Sequence, residues 1–307
     1  MKYNKIILAG GNGYLGSVLA NHYKVLAKEV IILARHPKAA DGNIRTVVWD
    51  GETEGNWVKE LEGGDILINL CGKSVNCRYT EKNRSEIFDS RLKPTRLLNR
   101  VVTHIVNPPK LWINSASATI YRYAEDLPQT EEHGEIGEGF SVEVCKAWEK
   151  AFFETETPKT RKVALRTAIV FGKGDGVFPR LFNLVKFGLG GKQGNGRQIV
   201  SWVHKEDFAG ITEWLTEHEE INGVINAASP MAVSNSSEMK LIREAYGAKL
   251  GLPAAKWLLE IGAAIIGTEP ELILKSRWVF PKKLTDAGYV FKYPGMTEAV
   301  KECLAIK

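Results

Sequence analysis

The 307-residue chain has little that would tie it to a metal, a membrane or a nucleic acid. Its four cysteines, Cys71, Cys77, Cys145 and Cys303, include no pair at zinc-ligand or redox spacing. Cys71 closes an apolar run and reads as a small core residue. Six histidines, with no carboxylates clustered at ligand spacing, give no metal site to expect. No apolar run reaches membrane-spanning length; the longest candidate, Trp257 to Ile266, is short and carries Glu260. Met1-Lys2-Tyr3-Asn4-Lys5 leads straight into an apolar run without a signal peptide, so a reduced, cytoplasmic protein is expected. A net charge of +5 is mild at this length, and no lysine/arginine cluster is interleaved with aromatics. Neither nucleic acid nor membrane is therefore an expected partner. Repeats and low-complexity linkers are missing too. What remains, 44% hydrophobic and 25% charged, is ordinary for a globular protein with a sizeable core.

The most informative stretch is Gly10-Gly11-Asn12-Gly13-Tyr14-Leu15-Gly16. It follows the apolar run Ile6-Ile7-Leu8-Ala9 and opens a helical pattern from Ser17 to Ala27. Strand, glycine turn and helix is the order in which a dinucleotide site is built. Gly10 permits the tight turn, Gly13 lets the backbone approach a pyrophosphate, and Gly16 lets the helix sit close to the strand. The phosphates then face a helix N-terminus, whose free N–H groups and dipole favour negative charge.

A second apolar run, Glu29 to Ala34, reads as the next parallel strand. A site for a dinucleotide with a free ribose 2′-hydroxyl places an Asp or Glu at this strand's end. Here Ala34 is followed by Arg35-His36-Pro37-Lys38. A carboxylate would repel a 2′-phosphate, whereas a guanidinium binds one through two parallel hydrogen bonds. Arg35 and Lys38 therefore select NADP(H) as the expected cofactor.

Short, nearly continuous Val/Ile/Leu runs recur at Ile44–Trp49, Asp65–Leu70, Lys110–Asn114, Val163–Arg166 and Gly223–Ala227. Such runs suit strands buried on both faces of a parallel sheet. Arg84–Thr103 and Glu143–Phe153 show helical spacing between them. The alternation predicts a doubly wound α/β fold, the Rossmann arrangement. The rhythm changes after Phe171 into two glycine-rich loops, Gly172–Gly176 and Gly188–Gly196. From Ser234 it turns mostly helical: Glu238 to Leu250, Ala254 to Ile266, Pro270 to Leu274. The expected organisation is a Rossmann domain over 1–171, rejoined by about 205–230, with a smaller C-terminal substrate lobe from 172–204 and 231–307. A small-molecule substrate would lie in the crevice between them.

Several motifs together resemble the extended short-chain dehydrogenases/reductases, the group that includes nucleotide-sugar epimerases and dehydratases. They are Gly10-x-x-Gly13-x-x-Gly16, Asn69-Leu70-Cys71-Gly72, Ser115-Ala116-Ser117-Ala118-Thr119-Ile120-Tyr121, and Lys146. Asp89-Ser90-Arg91, Gly188-Leu189-Gly190-Gly191, Ser201-Trp202-Val203-His204-x-x-Asp207 and Pro281-Lys282-Lys283-Leu284 narrow the resemblance. They point to an atypical subfamily described as sugar-nucleotide epimerases or NADP-dependent oxidoreductases. The resemblance implies that Leu70, Cys71, Gly72, Ser115 and Ile169 line the cofactor. It also implies that Glu86 and Arg91 face its ribose or nicotinamide, that Ser117 bonds the substrate oxygen, and that Lys146 is the lysine of a Tyr-x-x-x-Lys pair. In that pair the ammonium lowers the tyrosine pKa for proton transfer.

Two positions depart from this pattern. Where the tyrosine belongs stands Val142, which cannot carry a proton. Tyr121 could supply the hydroxyl, or Ser141 or a water could, or the site could bind cofactor without turnover. An arginine for a substrate diphosphate is expected just before Ser201-Trp202-Val203-His204, but that residue is Val200. Arg197, in the preceding glycine-rich loop, could reach an anion instead. Asp207 is expected to cap the helix from Phe208 to Leu215, with His204 structural. The leading expectation is an NADP(H)-dependent oxidoreductase acting on a small carbonyl or alcohol. The alternatives are an epimerase with tightly held cofactor, or a non-catalytic NADPH-binding protein. Helices of this fold often pair, so a homodimer is compatible with the sequence.

Overall fold

The computed structural model describes residues 1–174, 176–255, 257, 259–260 and 271–305. Most of the expected helix from Ala254 to Ile266 lies outside the described residues, as does most of the apolar run that begins at Trp257. Seven parallel strands form the central sheet, in the order β10-β6-β5-β4-β1-β2-β3. They are β1 (Tyr3–Ala9), β2 (Ala27–Ala34), β3 (Ile44–Val48), β4 (Ile66–Asn69), β5 (Leu111–Ser117), β6 (Arg161–Thr167) and β10 (Gly223–Ala227). All seven correspond to apolar runs in the sequence. The chain runs outward from β1 to one edge, then returns beside β1 to build the other half. The carboxyl ends of β1 and β4 therefore meet at the switch point where such sheets bind ligands.

Alternation along each strand divides the core. Ile6 and Leu8 of β1 point to the face covered by α1 (Tyr14–Lys24) and α5 (Lys205–Glu217), with Leu19, Tyr23, Phe208 and Ile211. Ile7 and Ala9 point to the other face, covered by α2 (Glu81–His104) and α3 (Phe140–Phe153), with Leu97, Val101, Trp112 and Phe152. With both faces covered, the strands can be apolar throughout. The first helix is shorter than its pattern: it stops at Lys24, and β2 already begins at Ala27. A helix missed by the sequence reading, α4 (Phe178–Lys186), lies between the two glycine-rich loops. It joins a separate apolar cluster with α6 (Asn235–Tyr246) and the last described helix, Met296–Leu304, around Phe171, Phe178, Trp202, Met239 and Val300. Gly247, left-handed at φ 81°, ends α6 four residues before the expected Leu250.

Short pairings form two further two-stranded sheets apart from the central one. β7 (Ile169–Phe171) runs parallel to β9 (Trp202–His204), and β8 (Ile199–Val200) runs antiparallel to β11 (Val233–Ser234). Among the described residues no helix is long and apolar enough to cross a membrane.

Candidate active site

The glycine loop has the shape that a pyrophosphate needs. Gly10 sits at φ +72°, and a Cβ there would come within 2.8 Å of the Cys71 sulfur. A Cβ on Gly16 would come within 2.1 Å of the Gly11 carbonyl oxygen, so only hydrogen lets α1 sit this close to the turn. Gly13 differs. It is the N-cap of α1, and a Cβ there would meet nothing within 4 Å. Among the described residues no side chain caps the helix, so an anion at this end would meet the N–H groups of its first turn. The oxygen Oδ1 of Asn12 is buried without a partner, while its Nδ2 donates to the His36 carbonyl at 2.7 Å.

This bond ties the glycine loop to the segment after β2. Lys38 Nζ adds a second tie, donating to the Asn12 carbonyl at 3.2 Å. Ala34 is buried at the strand end, and Arg35 is exposed just beyond it. Among the described residues, Arg35 has neither a hydrogen bond nor an ion pair. It lies near enough to Cys71 to act on the thiol; burial dominates there and pushes the Cys71 pKa up to about 12. Leu70 continues the sheet, donating to the Ala9 carbonyl, and the Cys71 amide is held by Asn69 Oδ1. Asn69 in turn donates to Asn114 and Thr95, a buried polar network that fixes the turn after β4.

Arg91 of α2 lies over that turn. A Cβ on Gly72 would come within 3.1 Å of its guanidinium carbon. Its Nη1 donates to the carbonyls of Lys73 and Ile87, and its plane lies over Trp148. Burial lowers its pKa, and no carboxylate pairs with it among the described residues. Glu86 is engaged elsewhere, with Lys73.

Ser115 and Ser117 occupy the carboxyl end of β5, in register with Leu165 and Thr167 of β6. Ser117 Oγ accepts from the Thr119 amide at 3.2 Å. Ile169 opens β7, its amide bound to the Ser201 carbonyl. The structure does not bring Tyr121 to the same place. Tyr121 is 1% exposed; its hydroxyl donates to Asn226 Oδ1 at 2.9 Å and accepts from Arg166 Nη1 at 2.8 Å. Arg166 is itself held by both oxygens of Glu149. Burial raises the Tyr121 pKa, the wrong direction for a base, and an acid–base role would require the hydroxyl to leave this network.

Lys146 also departs from its expected place. It is exposed on α3 and makes no hydrogen bond or ion pair among the described residues. The inward residues of this helix are Val142 and Cys145, packed against Ala118 and Tyr121. The helix turns Lys146 outward because that is the polar position of its first two turns.

Ser141, one residue before Val142, does face other polar groups. The Tyr79 hydroxyl lies 3.3 Å from Ser141 Oγ, which donates to Glu271 Oε2 at 3.3 Å. Lys275 lies 3.7 Å from Glu271 and donates to the Thr119 carbonyl at 3.0 Å. This chain of contacts leads from Tyr79 to the residue two after Ser117. Burial lowers the Lys275 pKa. Tyr79, Glu271 and Lys275 were invisible as a group in the sequence, spread as they are over almost two hundred residues. Arg197 is exposed and pairs with Glu125 at 3.3 Å. Asp207 does not cap its helix. His204 does so, accepting from the Glu206 amide, while Asp207 holds the amides of Lys292 and Tyr293.

The model of the NAD dependent epimerase/dehydratase family matches residues 6–228, which span the central sheet and the glycine loop. The chain belongs to that family. A second model, for a domain of unknown function, matches residues 254–303. Within the family, the chain is 30% identical to the epimerase family protein YfhF of Bacillus subtilis, over 98% of both chains. The solved structure of the human epimerase family protein SDR39U1 with NADPH superposes with a TM-score of 0.86 at 25% identity, covering 99% of this chain and 100% of that one. A nucleoside-diphosphate sugar epimerase from Corynebacterium glutamicum superposes at 0.77 with 26% identity, over 98% of this chain and 58% of that one. The epimerase/dehydratase match ends at residue 228, before Glu271 and Lys275, which fall in the second matched segment.

Proposed function

We propose that the chain is an NADP(H)-dependent oxidoreductase acting on a small carbonyl or alcohol beside Ser117. The observation that carries this reading is Arg35, a guanidinium unpaired among the described residues, at the end of β2 where a site selective for a free 2′-hydroxyl would place a carboxylate. The cradle fits the group: open space at Gly13 and a helix start without a side-chain cap. Arg35 and Lys38 would hold the 2′-phosphate, and Arg91 with Gly72 would line the far end. Residues 172–204 and 231–307 would form the substrate lobe. The human relative, solved with NADPH, supports the same choice. When bound, the dinucleotide supplies or accepts the hydride.

The chain must then hold the substrate oxygen and move a proton. Ser117 Oγ has donor capacity left after accepting the Thr119 amide, so it orients the substrate oxygen. Tyr79, Ser141 and Glu271 form a run of donors and acceptors ending on a carboxylate partly open to solvent. That run, rather than Tyr121, is the group we assign to proton transfer. The test is fluorescence titration with NADPH and NADH, followed by a panel of carbonyl substrates. Stoichiometric NADPH oxidation is expected, lost in Ser117→Ala. NADH binding as tight as NADPH would overturn the reading. The likeness to the Corynebacterium epimerase favours a second reading, isomerisation with cofactor regenerated in each cycle; conversion of substrate with no net NADPH change would establish it instead.

A further inference from the structure

We propose that the region where Ser141, Glu271 and Arg277 come together takes a substrate with one compact anionic group, a carboxylate or a phosphate monoester, held by Arg277 with Lys275 and Arg91 alongside. The identification of this ligand as substrate rests on the function proposed above; the anion site stands on its own observations. Arg277 is 8% exposed, and its side chain makes one long hydrogen bond, 3.4 Å to the Lys275 carbonyl. Its Nε is buried without a partner, and no carboxylate pairs with it among the described residues. Burying an uncompensated cation is costly, and a buried polar atom with no partner calls for a reason.

The backbone that carries this side chain is fixed in place. The Arg277 amide donates to the Ile199 carbonyl at 2.8 Å, and its carbonyl accepts from Ser201 Oγ at 2.7 Å. Ser276 Oγ, next to it, accepts from the Ile199 amide at 2.8 Å. From that anchor the guanidinium comes within electrostatic reach of Glu271, Cys145 and Tyr79. Arg91, approaching from α2, reaches the same Cys145 and Tyr79. Lys275 reaches Arg277, Glu271 and Cys145. Arg277, Lys275 and Arg91 thus converge on a region where Glu271 is already engaged by Ser141 and Lys275, and where Glu149, also near Cys145, is held by Arg166. Bidentate recognition of a planar or tetrahedral oxyanion is what an arginine fork does best.

A single compact group fits better than a diphosphate. Opposite Arg277, across an isolated β-bridge, stands the apolar Val200. Arg197, the other arginine of that neighbourhood, is exposed and paired with Glu125. Arg277 is therefore the one arginine at this β-bridge among the described residues, while Arg91 reaches the region from α2.

The test is calorimetric titration of the whole chain, with and without saturating NADPH, using inorganic phosphate in one arm, pyruvate in another and UDP in a third. Saturable binding of phosphate or pyruvate is expected, the arm that saturates naming the source. Arg277→Gln should weaken it at least tenfold and Arg277→Lys by less, while NADPH affinity changes no more than twofold. Lys275→Gln, also expected to weaken the anion severalfold, carries the test should Arg277→Gln not fold. Unchanged anion affinity in these variants overturns the proposal, as does NADPH binding normally while neither small anion binds, or UDP binding where neither does. Binding of a small anion through Arg277 without any NADPH binding would support the anion site and defeat the cofactor reading.

Discussion

The Tyr121 hydroxyl donates to Oδ1 of Asn226 at 2.9 Å, a bond between the loop after β5 and the middle of β10. It is a structural bond: Asn226 Nδ2 is also committed, to the carbonyl of Phe280 at 3.1 Å, and Arg166 fills the tyrosine's other lone pair. Tyr121→Phe should therefore leave Asn226 Oδ1 and an Arg166 N–H buried without a partner, at a cost of about 1–3 kcal/mol. Denaturant unfolding should show that loss, and NADPH titration should show none. A turnover defect larger than the change in folded fraction would return Tyr121 to the chemistry.

Gly13 and Gly16 should separate binding from folding. Alanine at 16 meets the backbone of Gly11, which cannot swing aside as a side chain could, so a loss of about 1–3 kcal/mol or more is expected. Alanine at 13 meets nothing and has an accessible φ of −81°. Its stability should stay within about 1 kcal/mol of the parent, since the difference at an N-cap is modest. Its methyl group would, however, occupy the space proposed for the pyrophosphate. A melting curve like the parent's, together with at least tenfold weaker nucleotide binding, is the expected pair of results.

Arg35 tests the choice of cofactor. The side chain is exposed and unpaired, so replacing it should leave stability almost unchanged. Arg35→Asp removes a charge-assisted contact and adds repulsion, which should weaken NADPH by about 2–3 kcal/mol, roughly 30- to 150-fold. NADH, without the 2′-phosphate, should be weakened far less. Equal losses for both nucleotides, read by fluorescence titration, would remove Arg35 from cofactor selection.

The features that were legible in the sequence are local ones. The glycine turn and the seven apolar runs each declare themselves within a few residues, and local sterics and burial fix what they become. Lys146 shows where such reading fails. The spacing of a helix is visible in sequence, but its rotation depends on what α3 packs against, and a slip of one residue turns Cys145 inward and Lys146 to solvent. Tyr121 was misjudged for a related reason. Its burial depends on Arg166 and Asn226, the latter 105 residues away. Glu271, Lys275 and Arg277 come from a segment that docks on the loop after β5 through pairings such as Gln129 with Val279. Nothing near them in the chain marks the approach of Glu271 to Ser141 or of Lys275 to Thr119, because long-range docking leaves no periodic trace.

Glu238, buried in α6 away from the site, gives a prediction about pH. Its carboxyl accepts from Asn235 Nδ2 at 3.2 Å, and no cation pairs with it among the described residues. Burial pushes its pKa from 4.5 to about 7. An acid whose folded pKa lies above its unfolded one holds its proton more tightly when folded. Between the two values the native state binds more protons than the unfolded state, so stability falls as pH rises from about 4.5 to about 7 and then levels off. Glu238→Gln keeps the hydrogen bond to Asn235 and removes the charge. It should be more stable than the parent above pH 7, by about 3–4 kcal/mol at most on the usual conversion of pKa shift to free energy. The advantage should shrink on acidification and disappear near pH 4.5. Urea unfolding of both proteins across that range measures it, and an advantage independent of pH would mean that Glu238 titrates normally in the folded chain.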